Sequence, residues 1–394
     1  MTRRVDPNFL YELKEYGAVG AEKCIQCGNC TAICSMSKED DRFPRHMVRM
    51  AQLGMKEELL GSKQLWLCFN CGDCSETCPQ QAEPANLMAA ARCYAISQYA
   101  PFKIGDPFFR KPLLGGVLAA LMVLAVGLLL CSERQTMPTG DLKLFDFVPY
   151  AWIHDLGLAA MALVGLLSVV TIFTMISRIA GINALPNAHP AHGAGTRWLK
   201  ALWDAVVVQS LGQKRYREDC ESSKTVRAWY LRQWFVHAAT MWGFMGLFLA
   251  TALDYLLDII GVKATGTFVP LWYPTRLIGT LSGLLFMYGV SVLLYWRWRA
   301  DDKAHSFSLP SDWIFLALLW FSGMTGFIIE IALYLPGAPR WGYWMFVLHV
   351  AVSITLLLLL PFTKFAHSLY RMVALYIHAL KPTSDDETAP APAG

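Results

Sequence analysis

The chain has 394 residues, of which 55% are hydrophobic and only 16% charged; its mean hydropathy is +0.36 and its formal net charge +4. Soluble domains carry about 25% charged residues, so a wholly soluble globular protein is excluded. The small net charge gives no reason to expect a nucleic-acid partner.

The amino-terminal stretch "MTRRVDPNFLYELKEYG" lacks the apolar run of a signal peptide, so this part is expected to stay in the cytoplasm. Nine of the eleven cysteines fall in the first ~105 residues. In a reducing compartment dense thiols indicate metal ligation, not disulfides. "CIQCGNCTAIC" supplies Cys24, Cys27, Cys30 and Cys34, and "CFNCGDCSETCP" supplies Cys68, Cys71, Cys74 and Cys78. Both runs have the spacing C-x2-C-x2-C-x3-C of two-cluster ferredoxins, in which the fourth cysteine of one run serves the other cluster. One [4Fe–4S] cluster is therefore assigned to Cys24, Cys27, Cys30 and Cys78, and the second to Cys68, Cys71, Cys74 and Cys34. Zinc favours two separated C-x2-C pairs and fits a duplicated group of four less well. Between the runs, Met47, Met50, Leu53, Leu59 and Leu60 mark helical apolar positions, so a helical two-cluster domain is predicted over residues 1–105. Cys93, Cys131 and Cys220 lie outside the motifs and are expected to be inert.

Six apolar runs follow, roughly Pro112–Cys131, Trp152–Arg178, Gln233–Asp258, Arg276–Trp296, Trp313–Leu335 and Trp341–Phe365, each long enough to span a bilayer. The expected fold is thus mainly α: a ferredoxin domain, then a six-span helical bundle over residues 106–380. "WLKALWDAVVVQSLG", Trp198–Gly212, is too short for a seventh span and is expected to lie in the membrane interface, within a loop at about 180–230. Nine Lys/Arg lie in Arg178–Arg232, three in Arg297–Lys303 and three in Lys103–Lys111; Arg134, Lys143, Lys263, Arg276 and Arg340 lie in the opposite loops. That bias places the long loop, the ferredoxin domain and the carboxyl terminus on the cytoplasmic side of the cell's inner membrane. The tail, residues 381–394, is compositionally disordered.

Four histidines fall in or beside spans. His154 and His349 sort to the outer level, His237 and His367 to the inner. His349 and His367 are 18 residues apart, which on one continuous helix is five turns and ~27 Å, placing both rings on one face. Paired imidazoles from different helices are axial ligands for six-coordinate haem. No C-x-x-C-H motif occurs, so two b-type haems are expected, His154 with His349 and His237 with His367. Small residues nearby (Gly157, Ala159, Ala160; Ala238, Ala239, Gly243, Gly246) suit either a macrocycle or close helix packing. Arg276, Arg340 and Lys364 are candidate propionate partners, with snorkelling as the alternative. Quinol oxidation releases protons, and Asp155 and Glu330 are candidate acceptors near the outer level.

The paired cysteine runs resemble the iron–sulfur C subunit of heterodisulfide reductase, and the last-span histidines resemble the nitrate reductase gamma family of dihaem b cytochromes. A chain fusing both resembles the membrane component of the quinone-interacting membrane-bound oxidoreductase of sulfate respirers. That resemblance implies menaquinol as substrate, two soluble flavin and iron–sulfur partner subunits, and adenylylsulfate reductase as downstream acceptor. The resemblance to the nitrate reductase gamma family would take the remaining haem ligands from a single earlier helix, whereas here they fall on two, with His154 and His237. A heterodisulfide-reductase-type membrane subunit serving another reductase is the alternative in the same class. A membrane-anchored redox sensor is the alternative from a different one.

Overall fold

The apolar periodicity of the sequence is helical, and every regular element among the described residues is a helix. The structure, a computed structural model, describes residues 4–37, 42–138, 140–182, 194–218, 228–264, 266–300, 305, 307–337 and 339–380. The expected tail, Cys220, His189 and His192 lie outside them. The chain divides into two units: residues 1–95, 171–219 and 366–394 form the first, and residues 96–170 and 220–365 the second. The ferredoxin region thus shares its unit with the end of the second span and with segments that follow the second and sixth spans in sequence.

The first unit begins with short helices, among them Phe9–Glu15, Arg45–Gln52, Lys56–Leu60 and Gln64–Leu67, and then the longer Pro84–Tyr99. Met47, Met50, Leu59 and Leu60 are buried as their spacing predicts, while Leu53 is largely exposed beside the left-handed Gly54 that ends its helix. Phe9 and Tyr16 pack edge-on against Tyr94. Beneath them Glu12 takes Lys56 Nζ at 2.8 Å and the Tyr94 hydroxyl at 3.3 Å, which satisfies a carboxylate beside the core. Burial and the Glu12 charge push the Tyr94 hydroxyl's pKa well up. The helix His367–Ala379 packs onto Gln64–Leu67 through Tyr370 against Trp66, with ring centroids 4.9 Å apart.

Residues 194–203 form a helix continued by a π-helical stretch, Asp204–Leu211. Ala201 and Ala205 are buried, while Trp198, Leu199, Leu202 and Trp203 stay exposed. This is the two-faced pattern expected of the interfacial segment.

Six helices are long and apolar enough to cross a membrane: Pro112–Cys131, Tyr150–Gly181, Gln233–Ile259, Pro274–Arg299, Pro310–Ala332 and Arg340–Phe362. The protein is a multi-pass membrane protein, with spans within a few residues of those predicted. The third and fourth spans pack most intimately, because a Cβ on Gly243 would strike the Phe286 backbone and one on Gly246 the Ser282 side chain. The alternative left open for these two glycines is thereby decided: they seat a helix, not a macrocycle. Gly157 differs, since a Cβ there would meet nothing within 4 Å.

The sixth span corrects one expectation. Its α-helix ends at Leu358, Leu360–Phe362 and Lys364–Ala366 are 3₁₀ turns, and a new helix begins at His367. Pro361 has no N–H to give to the helical ladder, so the helix breaks there. The five-turn register between His349 and His367 therefore does not hold, and His367 falls in the first unit while His349 lies in the second.

At the far end of the fourth span a buried charge cluster ties three elements together. Asp312 Oδ2 accepts from Arg297 Nη1 at 2.7 Å and from the Leu309 N–H at 3.2 Å, and Lys364 pairs with its other oxygen. Asp312 is only 5% exposed, so removing it strands two cations in a poorly hydrated place. D312A is expected to destabilise the protein by about 3–5 kcal/mol, the cost of breaking a buried pair from one side. Thermal unfolding of the detergent-solubilised protein measures it; a fall no larger than that of a surface substitution would contradict it.

Candidate functional site

The two cysteine runs fold alike. In the first, Gln26 and Gly28 have φ of 61° and 91°; in the second, Asn70 and Gly72 have 63° and 88°. Two left-handed residues flank the second cysteine of each run, curling the backbone so that successive Sγ atoms turn to one side. Short helices, Asn29–Ile33 and Asp73–Glu76, then carry the third cysteine. Asn29 Nδ2 bonds the Thr77 carbonyl at 2.6 Å and fastens the runs together.

Burial raises the pKa of the thiols of Cys30, Cys34 and, most strongly, Cys74, and the neighbouring sulfurs add to it. Those neighbours are informative. Cys30 feels Cys24, Cys27 and Cys78, whereas Cys34 feels Cys68. Cys74 feels chiefly Cys68 and Cys71, with Cys30 and Cys34 behind them. A pocket is lined by Cys34, Cys68, Cys71 and Cys74, with Phe43, Phe69 and Met88 as apolar walls. The fourth cysteine of the first run thus lies beside the first three of the second. Among the described residues no three His, Cys, Asp or Glu side chains gather tightly enough for one metal ion. A cubane takes one thiolate per iron, so eight cysteines in two runs of four suit two of them. The donor set fits two [4Fe–4S] clusters, and the Ala82 N–H stands ready to bond Cys78 Sγ at 3.3 Å.

The loops differ in what supports them. Gln52 Nε2 bonds the Cys24 carbonyl at 3.0 Å, Gln26 Nε2 reaches Cys24 Sγ at 3.5 Å, and Arg45 reaches the Gln26 carbonyl at 3.4 Å. At the second loop Arg215, Arg371 and Tyr216 each donate to consecutive carbonyls, Leu67, Cys68 and Phe69, at 3.1, 3.0 and 3.2 Å. Desolvation lowers the pKa of both guanidiniums. These three residues were not singled out in the sequence; they are 147 to 303 positions from the carbonyls they bond, and no local pattern marks them.

In the second unit, His349 Nδ1 lies 3.1 Å from the Ser322 carbonyl and 3.0 Å from Thr325 Oγ1. A carbonyl can only accept, so Nδ1 carries the proton and Nε2 is left with the lone pair that can ligate a metal. Gly326 makes room for the ring: a Cβ there would stand 3.2 Å from His349 Cε1. His154 repeats the arrangement. Its Nδ1 is 3.4 Å from Asp155 Oδ1, its ring lies against Tyr255 and Tyr150, and its Nε2 is buried with no hydrogen-bond partner. Ligating histidines are commonly oriented by such an acceptor on the second nitrogen. Ile153 and Val350, which flank the two histidines, belong to one apolar cluster with Phe346 and Val347. His237 is half-buried on the third span, and His367 opens the helix in the first unit.

The remaining candidates look different once placed. Glu330 is not a lone intramembrane acid, because Arg276 Nε donates to it at 3.0 Å. Arg276 also bonds the Val269 carbonyl at 2.6 Å and lies over the rings of Phe268 and Tyr334, while its Nη2 is buried without a partner. Asp155 is exposed beside His154, Arg340 is exposed, and Lys364 is committed to Asp312.

If His349 ligates a haem, a G326V substitution is expected to push it off its two acceptors and lower haem retention about 10- to 100-fold, as loss of an orienting contact does. Haem per chain, from a reduced pyridine adduct spectrum, checks it; a native ratio would contradict it.

Fold and site together define the class: a helical, membrane-spanning iron–sulfur electron-transfer protein with a two-cluster ferredoxin domain. Residues 109–391 match the family model "Citrate utilization protein B" and residues 20–82 that of a "4Fe-4S dicluster domain". The chain therefore belongs to the citrate utilization protein B family. It is 26% identical over 383 residues to citrate utilization protein B of Escherichia coli, covering 91% of this chain and 90% of that one. Its amino-terminal part is 32% identical over 88 residues to the C subunit of the H(2):CoB-CoM heterodisulfide,ferredoxin reductase of Methanothermobacter thermautotrophicus, covering 22% of this chain and 48% of that one. It is also 33% identical over 89 residues to a protein of Archaeoglobus profundus that is itself like the C subunit of heterodisulfide reductase, covering 22% and 47% respectively. The chain spans about half the length of these two heterodisulfide reductase relatives. No solved structure matches.

Proposed function

We propose that this chain exchanges electrons between membrane menaquinone and soluble flavin and iron–sulfur partner subunits, through two b haems and two [4Fe–4S] clusters. The observation that carries it is the joining, in one chain, of two four-cysteine runs to membrane helices bearing histidines oriented through Nδ1. His154 and His349 are the candidate outer ligands; His237 and His367 remain candidates for an inner haem. Arg276 fits a propionate, since its Nη2 lacks a partner, and Arg340 is the weaker candidate. With Glu330 held by Arg276, proton acceptance at the quinone falls first to Asp155. The positive-inside bias puts the clusters on the cytoplasmic face of the inner membrane. In the direction suggested by the resemblance to the quinone-interacting oxidoreductase, menaquinol is oxidised and electrons run toward adenylylsulfate reductase.

A second reading is favoured by the match along nearly the whole chain to a protein named for citrate utilisation. Electrons would then enter from a soluble oxidoreductase acting in that process and leave to quinone. The test is the purified chain with whatever copurifies. Dithionite should give a b-type haem band and two cluster signals; absence of the band would end the haem proposal. A menaquinol analogue should reduce the haems in the first direction, whereas the copurified dehydrogenase with its substrate should do so in the second. Reduction by neither would overturn both.

A further inference from the structure

The second cysteine loop is held from outside the ferredoxin sequence, and by charge. Three consecutive carbonyls, Leu67, Cys68 and Phe69, accept from Arg215, Arg371 and Tyr216. The Arg371 guanidinium also lies 5.9 Å from the Tyr216 ring centroid, and that ring packs edge-on against Phe69. Arg215 reaches the Met36 sulfur, so one guanidinium touches both chain stretches that contribute thiols to this cavity. Around the first cluster's loop the corresponding donors are mostly neutral amides, with Arg45 at 3.4 Å.

We propose that Arg215 and Arg371, aligned by Tyr216, are positioning residues that raise the reduction potential of the cluster on Cys34, Cys68, Cys71 and Cys74. This rests on the two-cluster reading above. Reduction adds one electron to the cluster and transfers no atom, so the site gains one negative charge. Two guanidiniums fixed on the ligand loop, partly withdrawn from water, favour that charge; Cys68, whose own carbonyl Arg371 holds, feels it directly. Asp73, near Cys34, opposes them, and it stays in place when an arginine is changed. The clamp reaches this cluster through segments that follow the second and sixth spans in sequence. The cluster's potential is therefore set by the whole chain, not by its ferredoxin domain alone.

The experiment is a mediated dithionite titration of the full-length protein, following each cluster by electron paramagnetic resonance, for wild type, R371Q, R215Q and R371K. At the wild-type midpoint, each glutamine variant should show the second cluster's reduced-to-oxidised ratio down about tenfold, which is 59 mV for a one-electron couple. The first cluster should stay unmoved, iron content should be native, and R371K should restore most of the shift. An unchanged midpoint in both glutamine variants with both clusters present would overturn the proposal. So would loss of the second cluster from both, because the arginines would then be scaffold. Absence of two cluster signals from wild type would instead overturn the two-cluster reading.

Discussion

A C78A variant is expected to lose the cluster held by Cys24, Cys27 and Cys30 and to keep the one on the run in which Cys78 itself lies. Sequence neighbourhood argues the opposite, since Cys78 is four residues from Cys74. In space, however, Cys34 lines one pocket with Cys68, Cys71 and Cys74, and Cys78 is not among the residues that line it. The C-x3-C gap carries the fourth thiol past the end of the short helix Asp73–Glu76. C34A should do the reverse, removing the cluster in the cavity lined by Cys68, Cys71 and Cys74. Each variant should retain about four of about eight irons per chain, and the surviving resonance should differ between the two. If both variants lose the same resonance, or C78A loses the signal that C68A loses, the crossed assignment fails.

What the sequence made legible follows the range of the physics involved. Cysteine spacing is a local code, so the two-cluster ferredoxin domain could be read before any coordinates. Span positions were readable because twenty apolar residues in a row have few other uses. Long-range tertiary features were not readable. Nothing near Arg371 announces that it will bond the Cys68 carbonyl, 303 residues away, and nothing near Glu330 announces Arg276. The misplaced five-turn register came from a different source. The apolar run continues through Pro361 unbroken in hydropathy, while the helix does not, because proline removes a donor without removing hydrophobicity. Gly243 and Gly246 show how a small residue is ambiguous until its partner is known; Phe286 and Ser282 supply the answer.

The other large effect expected is at His349. On the proposed ligation, H349A should remove one of two haems, cutting the reduced b-type absorbance by about half, and H154A should remove the same one. The imidazole of His349 is oriented by the Ser322 carbonyl and Thr325 hydroxyl, and the hydroxyl is itself spent as a donor on the Phe321 carbonyl at 2.7 Å. The proton on Nδ1 is therefore fixed from two sides, which leaves Nε2 available without a tautomer exchange. T325V keeps the ring and its carbonyl partner but deletes one acceptor, so it should weaken haem retention by much less than H349A. S322A should do nothing, because only its backbone oxygen faces the ring. This graded order separates a ligand from a structural histidine. A histidine that served packing alone would tie H349A to a loss of folded protein, with haem falling in proportion to it. If H349A and H154A each keep a full complement of haem in folded protein, the outer haem is held elsewhere, and the route from quinone to the clusters must be redrawn.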